Sequence, residues 1–214
     1  MLWEDFKSPV TTDIKNVFLI GSGATIGLAI AEDQISDPAQ NEVIENKPLG
    51  SWSKFGDYSG QMIPNALYAL GMWTAGQNMN AGLMTRASVM AALTTNVLKY
   101  TVREPRPQYP YRKEAFPSGH TATAFAFASV VSCRHSLPWA ISAYSLATLV
   151  GFSRMNDNAH LLHHVVGGAV IGIGYGWGIC WRQETLDGGK PSLAQNFSLQ
   201  PIDEGGEIVW RKDF

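Results

Sequence analysis

The sequence predicts an all-α fold, a helical bundle of about five or six main helices. Apolar stretches of helical length recur along the 214 residues, separated by segments rich in proline, glycine and polar side chains. No strand-turn-strand rhythm and no internal repeat is visible in the sequence. The length suits one domain with a single core, so we take residues 1–214 as one domain.

The first part of the chain is predicted to contain two helices joined by a polar connection. The apolar stretch at 17–31 is rich in small residues that suit close helix packing, but it is shorter than the roughly 20 residues of a membrane-spanning helix. Residues 33–53 contain two prolines and are expected to form a loop with short helical pieces. A second helix is expected at 62–75, and residues 76–80 end it.

Four further helices and one irregular loop are predicted after residue 80. The helices are expected at 81–102, 118–132 and 138–152, and a longer glycine-rich one at 158–181. Between the first two of these, residues 104–117 contain four prolines and must form an irregular loop. The polar tail at 182–214 is expected to hold short extended pieces at 197–199 and 208–210.

The composition excludes bulk electrostatic binding of nucleic acid. The chain has 16 basic and 18 acidic residues, a net charge of −2, so anion binding must come from a local cluster. Apolar residues make up 45% and charged residues only 16%, against about 25% charged in ordinary soluble domains. A mean hydropathy of −0.05 nevertheless favours a soluble bundle, with membrane contact left open.

Two features bear on the cellular compartment. The first ten residues include Glu4 and Asp5 and lack a basic start before an apolar run, so no signal peptide is visible. Cys133 and Cys180 are too few for a disulfide framework. They are either two small buried residues or one bridge, if their helices meet.

The first segment with chemical potential surrounds Lys99 and Arg106. Lys99 lies near the end of a predicted helix, and Pro105 and Pro107 restrict the backbone on both sides of Arg106. A guanidinium presents a planar donor fork to phosphate oxygens, and an ammonium adds a point charge. Basic residues at a helix end more commonly meet carbonyl groups or solvent, so this segment alone is weak evidence.

The second segment reads Ser118-Gly119-His120 at the predicted start of a helix. The free N–H groups and the positive dipole end of a helix start favour an anion. Gly119 allows close backbone approach, and the Ser118 hydroxyl can donate to a phosphate oxygen. His120 can protonate a leaving alkoxide near neutral pH. Ser118 taken by itself is equally explained as a helix cap.

The third segment contains Arg154, His160 and His164. Arg154 can supply a second donor fork. His160 can attack phosphorus if one ring nitrogen is free and the other is held. A lone histidine near a helix start is more commonly structural, so this segment also gains weight only from the other two.

In order, the three segments read K-x6-R-P, P-S-G-H and S-R-x5-H, a pattern that resembles the type 2 phosphatidic acid phosphatase family. That family includes bacterial nonspecific acid phosphatases, lipid phosphatases and vanadium haloperoxidases. The motifs cover residues 99–164, about the middle third of the chain. Three motifs in this order are specific, whereas any one of them is not.

The resemblance implies hydrolysis of a phosphate monoester through a phosphohistidine, without cofactor or metal. His160 is expected to be the nucleophile, and His120 to protonate the leaving group and later activate water. The expected phosphate-binding residues are Lys99, Arg106, Ser118, Gly119 and Arg154. The substrate would be a small phosphate ester or a lipid phosphate, and phosphate or vanadate would inhibit. The family also suggests a periplasmic or membrane-associated location; the oligomeric state stays open.

One position departs from the family pattern. The third motif of the family continues to an aspartate that orients the nucleophilic histidine, and His164 stands at that position here. We expect His164 to lie one helical turn from His160 and to accept its hydrogen bond while neutral, although it cannot stabilise a positive intermediate as a carboxylate would. Asp157 is a nearby acid. The departure puts the level of activity in doubt rather than the fold.

Three alternatives to a fully active phosphatase remain. A phosphate-binding pseudo-enzyme would keep the cradle and lose turnover because His164 replaces the acid. Haloperoxidase chemistry with bound vanadate is disfavoured by the short chain. A zinc-like site of His120, His160 and His164 would be surrounded unfavourably by cations. A lipid substrate would need an apolar opening, which Trp52, Met62, Trp73 and Met84 could line, although such residues are more commonly core.

Overall fold

The computed structural model describes residues 2–188 and the backbone of residues 197–202 and 205–210. The all-α class is confirmed, since helices account for most of this part of the chain. More helices form than the five or six expected, because short ones also occur in segments where no main helix was predicted. Within residues 2–188 they are α1 (Leu2–Thr11), α2 (Lys15–Ile30), α3 (Asp37–Asn46), α4 (Ser53–Ser59), α5 (Ile63–Thr74), α6 (Asn78–Val102), α7 (Gly119–Arg134), α8 (Leu137–Asn156) and α9 (Leu162–Leu186).

The loops that follow α6 and α8 each contain a left-handed residue near their start. Arg103, with φ of 56°, ends α6 and donates its N–H to the carbonyl of Lys99, after which the expected irregular loop begins. Asn158, with φ of 52°, follows α8. The prediction that the last long helix starts at residue 158 is wrong, because Ala159 donates its N–H back to the carbonyl of Arg154 and closes a turn instead.

Helices α7 and α9 pack closely along a row of glycines on α9. A Cβ on Gly168 would lie 2.5 Å from the carbonyl oxygen of Ser118, and one on Gly172 would lie 2.4 Å from that of Ala122. Spaced four residues apart, these glycines lie on one face of α9 and let the two backbones approach. This packing fixes the start of α7 against the first turns of α9.

At their other ends the same two helices are joined covalently. Cys133 near the end of α7 and Cys180 in α9 form a disulfide, with Cα atoms 6.7 Å apart. Of the two alternatives for these cysteines, the structure has the bridge. Further along the chain, β1 (Phe197–Ile202) and β2 (Gly205–Trp210) pair antiparallel, with Phe197 opposite Trp210, and include both expected extended pieces.

Large apolar side chains are exposed on the outer faces of several helices. They include Leu19, Ile20 and Ile26 on α2, Leu67, Leu70 and Trp73 on α5, and Val89, Leu93 and Val97 on α6. In the described residues, α9 is long and apolar enough to cross a membrane, although most of it is buried, and α1 and α2, bent by 76°, pass the same test together. Apolar surface of this extent is typical of membrane contact, and it weakens the preference for a soluble bundle drawn from composition.

Aromatic side chains are exposed around α4. Trp52 is 70% exposed, and Phe55 and Tyr58 on α4 itself are also exposed. Of the four residues proposed for an apolar opening, Trp52, Met62 and Trp73 are exposed, while Met84 is fully buried. The expectation that all four are core is therefore right only for Met84.

Candidate active site

Lys99 and Arg106 from the first motif are both tied to Glu114 in the following loop. Lys99 Nζ donates to the carbonyl oxygen of Glu114 at 2.5 Å, and Arg106 Nε lies 3.2 Å from the Glu114 carboxylate. Burial, aided by the charge of Arg106, lowers the pKa of Lys99 to about 8. The proline-rich loop thus folds back and holds two cations at the end of α6.

Arg154 supplies a third, almost buried cation from the last turn of α8. Its side chain is 9% exposed, its Nε has no hydrogen-bond partner, and one terminal nitrogen contacts a carboxylate oxygen of Asp57. Asp157 lies 3.8 Å from the same nitrogen. A buried guanidinium needs an anion beside it, which Asp57 provides, and its unused Nε–H can donate to a further acceptor.

The start of α7 has the geometry expected of an anion-binding helix end. Ser118 is its N-cap, fully buried, and its Oγ accepts from the N–H of Thr121 at 3.4 Å and the hydroxyl of Thr121 at 2.9 Å. A Cβ on Gly119 would meet Thr95 at 3.7 Å and Lys99 at 3.9 Å, which is ordinary contact. Packing therefore does not require glycine at 119, and the open backbone there faces the side of Lys99.

The two histidines expected to do chemistry both lie in the field of the three cations. Burial, followed by Arg154 as the next cause, lowers the pKa of His120 to about 4, with Arg106 and Lys99 adding to the effect. Burial also lowers the pKa of His160 well below its usual value, followed by His164 and then the same three cations. The structure therefore brings the cations and both predicted histidines together.

The expected hydrogen bond between His160 and His164 is absent. His160 precedes α9, and His164 is the third residue of that helix, where its Nδ1 accepts the backbone N–H of Leu161 at 2.9 Å. The two imidazole rings meet edge to face with centroids 5.6 Å apart, and Nδ1 of His160 is buried without a partner. The prediction failed because a position in the first helical turn is drawn to the unpaired N–H groups of the helix start.

The other nitrogen of His164 contacts Glu104, a residue that sequence reasoning missed. Glu104 Oε1 lies 2.5 Å from Nε2 of His164 and 2.8 Å from Nε2 of His163. Burial alone would raise the pKa of Glu104, but hydrogen bonds from the two histidines outweigh it and lower the pKa to about 2. The only available signal was the position of Glu104 inside the first motif, two residues before Arg106.

Glu104, His163 and His164 have ligand atoms close enough together to hold a metal ion. The hydrogen-bond network argues against this use. Because Nδ1 of His164 accepts from the Leu161 N–H, its Nε2 must carry the proton and donate to Glu104. A metal at Nε2 would need that proton removed. We therefore treat the cluster as a hydrogen-bonded support rather than a metal site.

Asp57 is the second residue that sequence reasoning missed. It lies on α4, where its Oδ1 contacts both Arg154 and Nε2 of His120, the latter at 3.2 Å. No motif or composition signal surrounds it in the sequence. Asp157, the other acid near the third motif, contacts Arg154 and Asn156.

The sequence profile of the PAP2 superfamily matches residues 80–186, which is half of the chain and includes all three motifs. This chain belongs to the PAP2 superfamily. The assignment confirms the family drawn from the three motifs. The three cations of the motifs are also the ones whose charges act on His120 and His160.

Known proteins resemble the chain over much of its length. It is 34% identical over 140 residues to a lipid A 1-phosphatase of Porphyromonas gingivalis. The aligned residues make up 64% of this chain but only 27% of that longer relative. The fold resembles the crystal structure of Aquifex aeolicus LpxE, with a TM-score of 0.61 and 22% identity over 66% of this chain and 92% of the other. It also resembles the PAP2-type phosphatidylglycerolphosphate phosphatase from Bacillus subtilis, with a TM-score of 0.63 and 21% identity over 84% and 98%.

Proposed function

We propose that the protein hydrolyses phosphate monoesters through a phosphohistidine at His160. The observation that carries this proposal is the convergence of Lys99, Arg106 and Arg154 on His160, which is buried, and on the partly buried His120. Three cations and a helix start can stabilise the charge of a transferring phosphoryl group by electrostatics alone. The proposal requires no metal, which agrees with the protonated Nε2 that we assign to His164.

In the proposed reaction, a ring nitrogen of His160 attacks phosphorus and the bond from phosphorus to the ester oxygen breaks. We assign the attack to Nε2, because Nδ1 is enclosed by protein. His120 gives its proton to the departing oxygen. In the second step His120 takes a proton from water, the hydroxide attacks phosphorus, and His160 leaves with inorganic phosphate released.

We propose a lipid phosphate as the substrate and a membrane-associated, periplasmic location. A lipid phosphate agrees with the similarity to a lipid A 1-phosphatase and to a phosphatidylglycerolphosphate phosphatase. The exposed apolar faces of α2, α5 and α6 support contact with lipid. The disulfide between Cys133 and Cys180 supports an oxidising compartment. Retention of the protein in washed membranes would be expected, and its release by alkaline carbonate would contradict embedding in lipid.

The decisive experiment compares the wild type with His160→Ala on p-nitrophenyl phosphate and on a lipid phosphate in detergent micelles. We expect the alanine variant to lose hydrolysis and to keep its helical circular dichroism. His135→Ala serves as the matched histidine control, because His135 lies at the far end of α7. An acid-labile phosphoenzyme trapped on the wild type supports the intermediate. Turnover by His160→Ala at the wild-type rate would remove His160 from this role.

A phosphate-binding protein with little turnover is the second candidate. The buried Nδ1 of His160 has no acceptor, so nothing in the described residues fixes its tautomer or stabilises its positive charge. Such a protein would bind vanadate or phosphate and release no product. The same assay, run beside calorimetric titration with vanadate, separates the two candidates.

A further inference from the structure

We propose that Asp57 occupies the phosphate site of the empty protein and competes with the substrate for it. This inference rests on the proposed function. One carboxylate oxygen, Oδ1, contacts both Nε2 of His120 and a terminal nitrogen of Arg154. These are the groups to which the mechanism assigns the leaving oxygen and the phosphoryl oxygens. A single carboxylate oxygen therefore bridges the partners that a phosphate ester would bridge.

Glycines on α4 and just after it fix the position of this carboxylate. A Cβ on Gly56 would lie 2.4 Å from Oγ of Ser153, the residue before Arg154. A Cβ on Gly60 would lie 2.8 Å from Cβ of His120. The carbonyl of Gly60 also accepts the Thr123 hydroxyl at 2.6 Å. Helix α4 is thus packed directly against α7 and α8, and its close packing places Asp57 at the site.

The charges explain why the carboxylate is there and why it can leave. The side chain of Arg154 is 9% exposed and needs an anion, whereas that of Asp57 is 38% exposed and can return to water. A phosphate on Arg154 would stand beside the carboxylate, and two anions at one guanidinium nitrogen repel each other. A phosphate that binds this terminal nitrogen of Arg154 must therefore displace Asp57, which weakens the binding of substrate, product and anionic inhibitors alike.

The test measures the inhibition constants of vanadate and inorganic phosphate, and their affinities by calorimetry, for Asp57→Asn. We expect both anions to bind about tenfold more tightly, since the amide removes the competing charge. Asp157→Asn is the matched control: it removes a charge 3.8 Å from Arg154 that does not bridge to His120, so its effect should be smaller. Asp57→Ser replaces the amide variant if that one does not fold.

Each outcome bears on the inference. Unchanged or weaker anion binding in the Asp57 variant would overturn it, as would an equal gain in Asp157→Asn, which would indicate a general charge effect. Calorimetry keeps the inference separate from the proposed function. If Asp57→Asn binds anions more tightly and the wild type shows no hydrolysis, the role of Asp57 is supported and the phosphatase activity is contradicted. If the wild type hydrolyses phosphate esters and Asp57→Asn binds anions no more tightly, the activity is supported and the role of Asp57 is contradicted.

Discussion

The backbone N–H of Ser118 donates to the carbonyl oxygen of His164 at 2.9 Å. This bond joins the second motif to the third through main-chain atoms, at the place where α7 and α9 both begin. The side chain of His164 extends the connection to the first motif, because its Nε2 contacts Glu104. The three motifs are therefore joined by His164, whose carbonyl group contacts the second motif and whose imidazole contacts the first.

Replacing Arg154 by lysine should weaken anion binding. An ammonium cannot reproduce two parallel hydrogen bonds to phosphate oxygens, so we expect the inhibition constants of vanadate and phosphate to rise about tenfold or more. Arg134→Lys, at the far end of α7, provides the matched control and should leave both constants unchanged. Equal inhibition of the Arg154 variant and the wild type would mean that Arg154 serves only to neutralise Asp57.

The pH dependence of hydrolysis should favour mild acid. His160 must be unprotonated to attack, and because its pKa is lowered, it keeps this form well below pH 6.5. His120 must be protonated to act as the acid. Its pKa is about 4 in the empty site. A bound phosphate dianion raises this pKa, so that His120 carries its proton in mild acid and loses it as the pH rises further. We expect kcat, which reports on the enzyme with substrate bound, to fall toward alkaline pH. A profile that instead collapses just below pH 6.5 would contradict the lowered pKa of His160.

His164→Asp should raise turnover by about an order of magnitude, which corresponds to about 1.4 kcal/mol of barrier. Aspartate can still accept the Leu161 N–H at the helix start, and its second oxygen can accept from Nδ1 of His160, which has no partner now. His164→Asn is the control, because asparagine has the shape of aspartate but carries no charge. The aspartate variant and the asparagine control both lose the bond from Nε2 of His164 to Glu104. Rates on one small phosphate ester decide the matter; if the aspartate variant is no faster than the asparagine variant, a charged acceptor is not what limits turnover.

Removing the disulfide should lower stability and leave the chemistry intact. The bridge closes a loop of 47 residues, for which chain entropy gives about 4 kcal/mol. The variant with both Cys133→Ser and Cys180→Ser should therefore melt at a lower temperature, as should the reduced wild type. Hydrolysis at 25 °C should persist, because the bridge lies at the ends of α7 and α9 opposite the site. An unchanged melting temperature after reduction would contradict a stabilising role.

The sequence was a good guide wherever a local pattern determines the structure. Helical periodicity located the main helices, and four prolines predicted the loop that carries Arg106. Order and spacing of the motifs identified the family. The start of α9 was misjudged because Ala159 and Leu161 continue the helical pattern back to residue 158, while the turn at Asn158 depends on a backbone bond to Arg154.

Contacts between distant residues could not be predicted in the same way. Asp57 reaches Arg154 across 97 positions, and Glu104 reaches His164 across 60, with no periodic signal linking either pair. The role of His164 failed for a different reason. Spacing alone allowed it to face His160, but the unpaired N–H of Leu161 at the helix start attracts its Nδ1 first.

The exposed aromatic side chains around α4 have a consequence for how rates must be measured. Trp52, Phe55 and Tyr58 lie on or just before the short helix α4, which also carries Asp57. Such side chains prefer the boundary between head groups and acyl chains. A protein held at that depth binds a lipid substrate that is dissolved in the membrane surface rather than in water. Its velocity should then follow the mole fraction of substrate in the surface, and diluting the substrate with neutral lipid should slow it at constant total concentration.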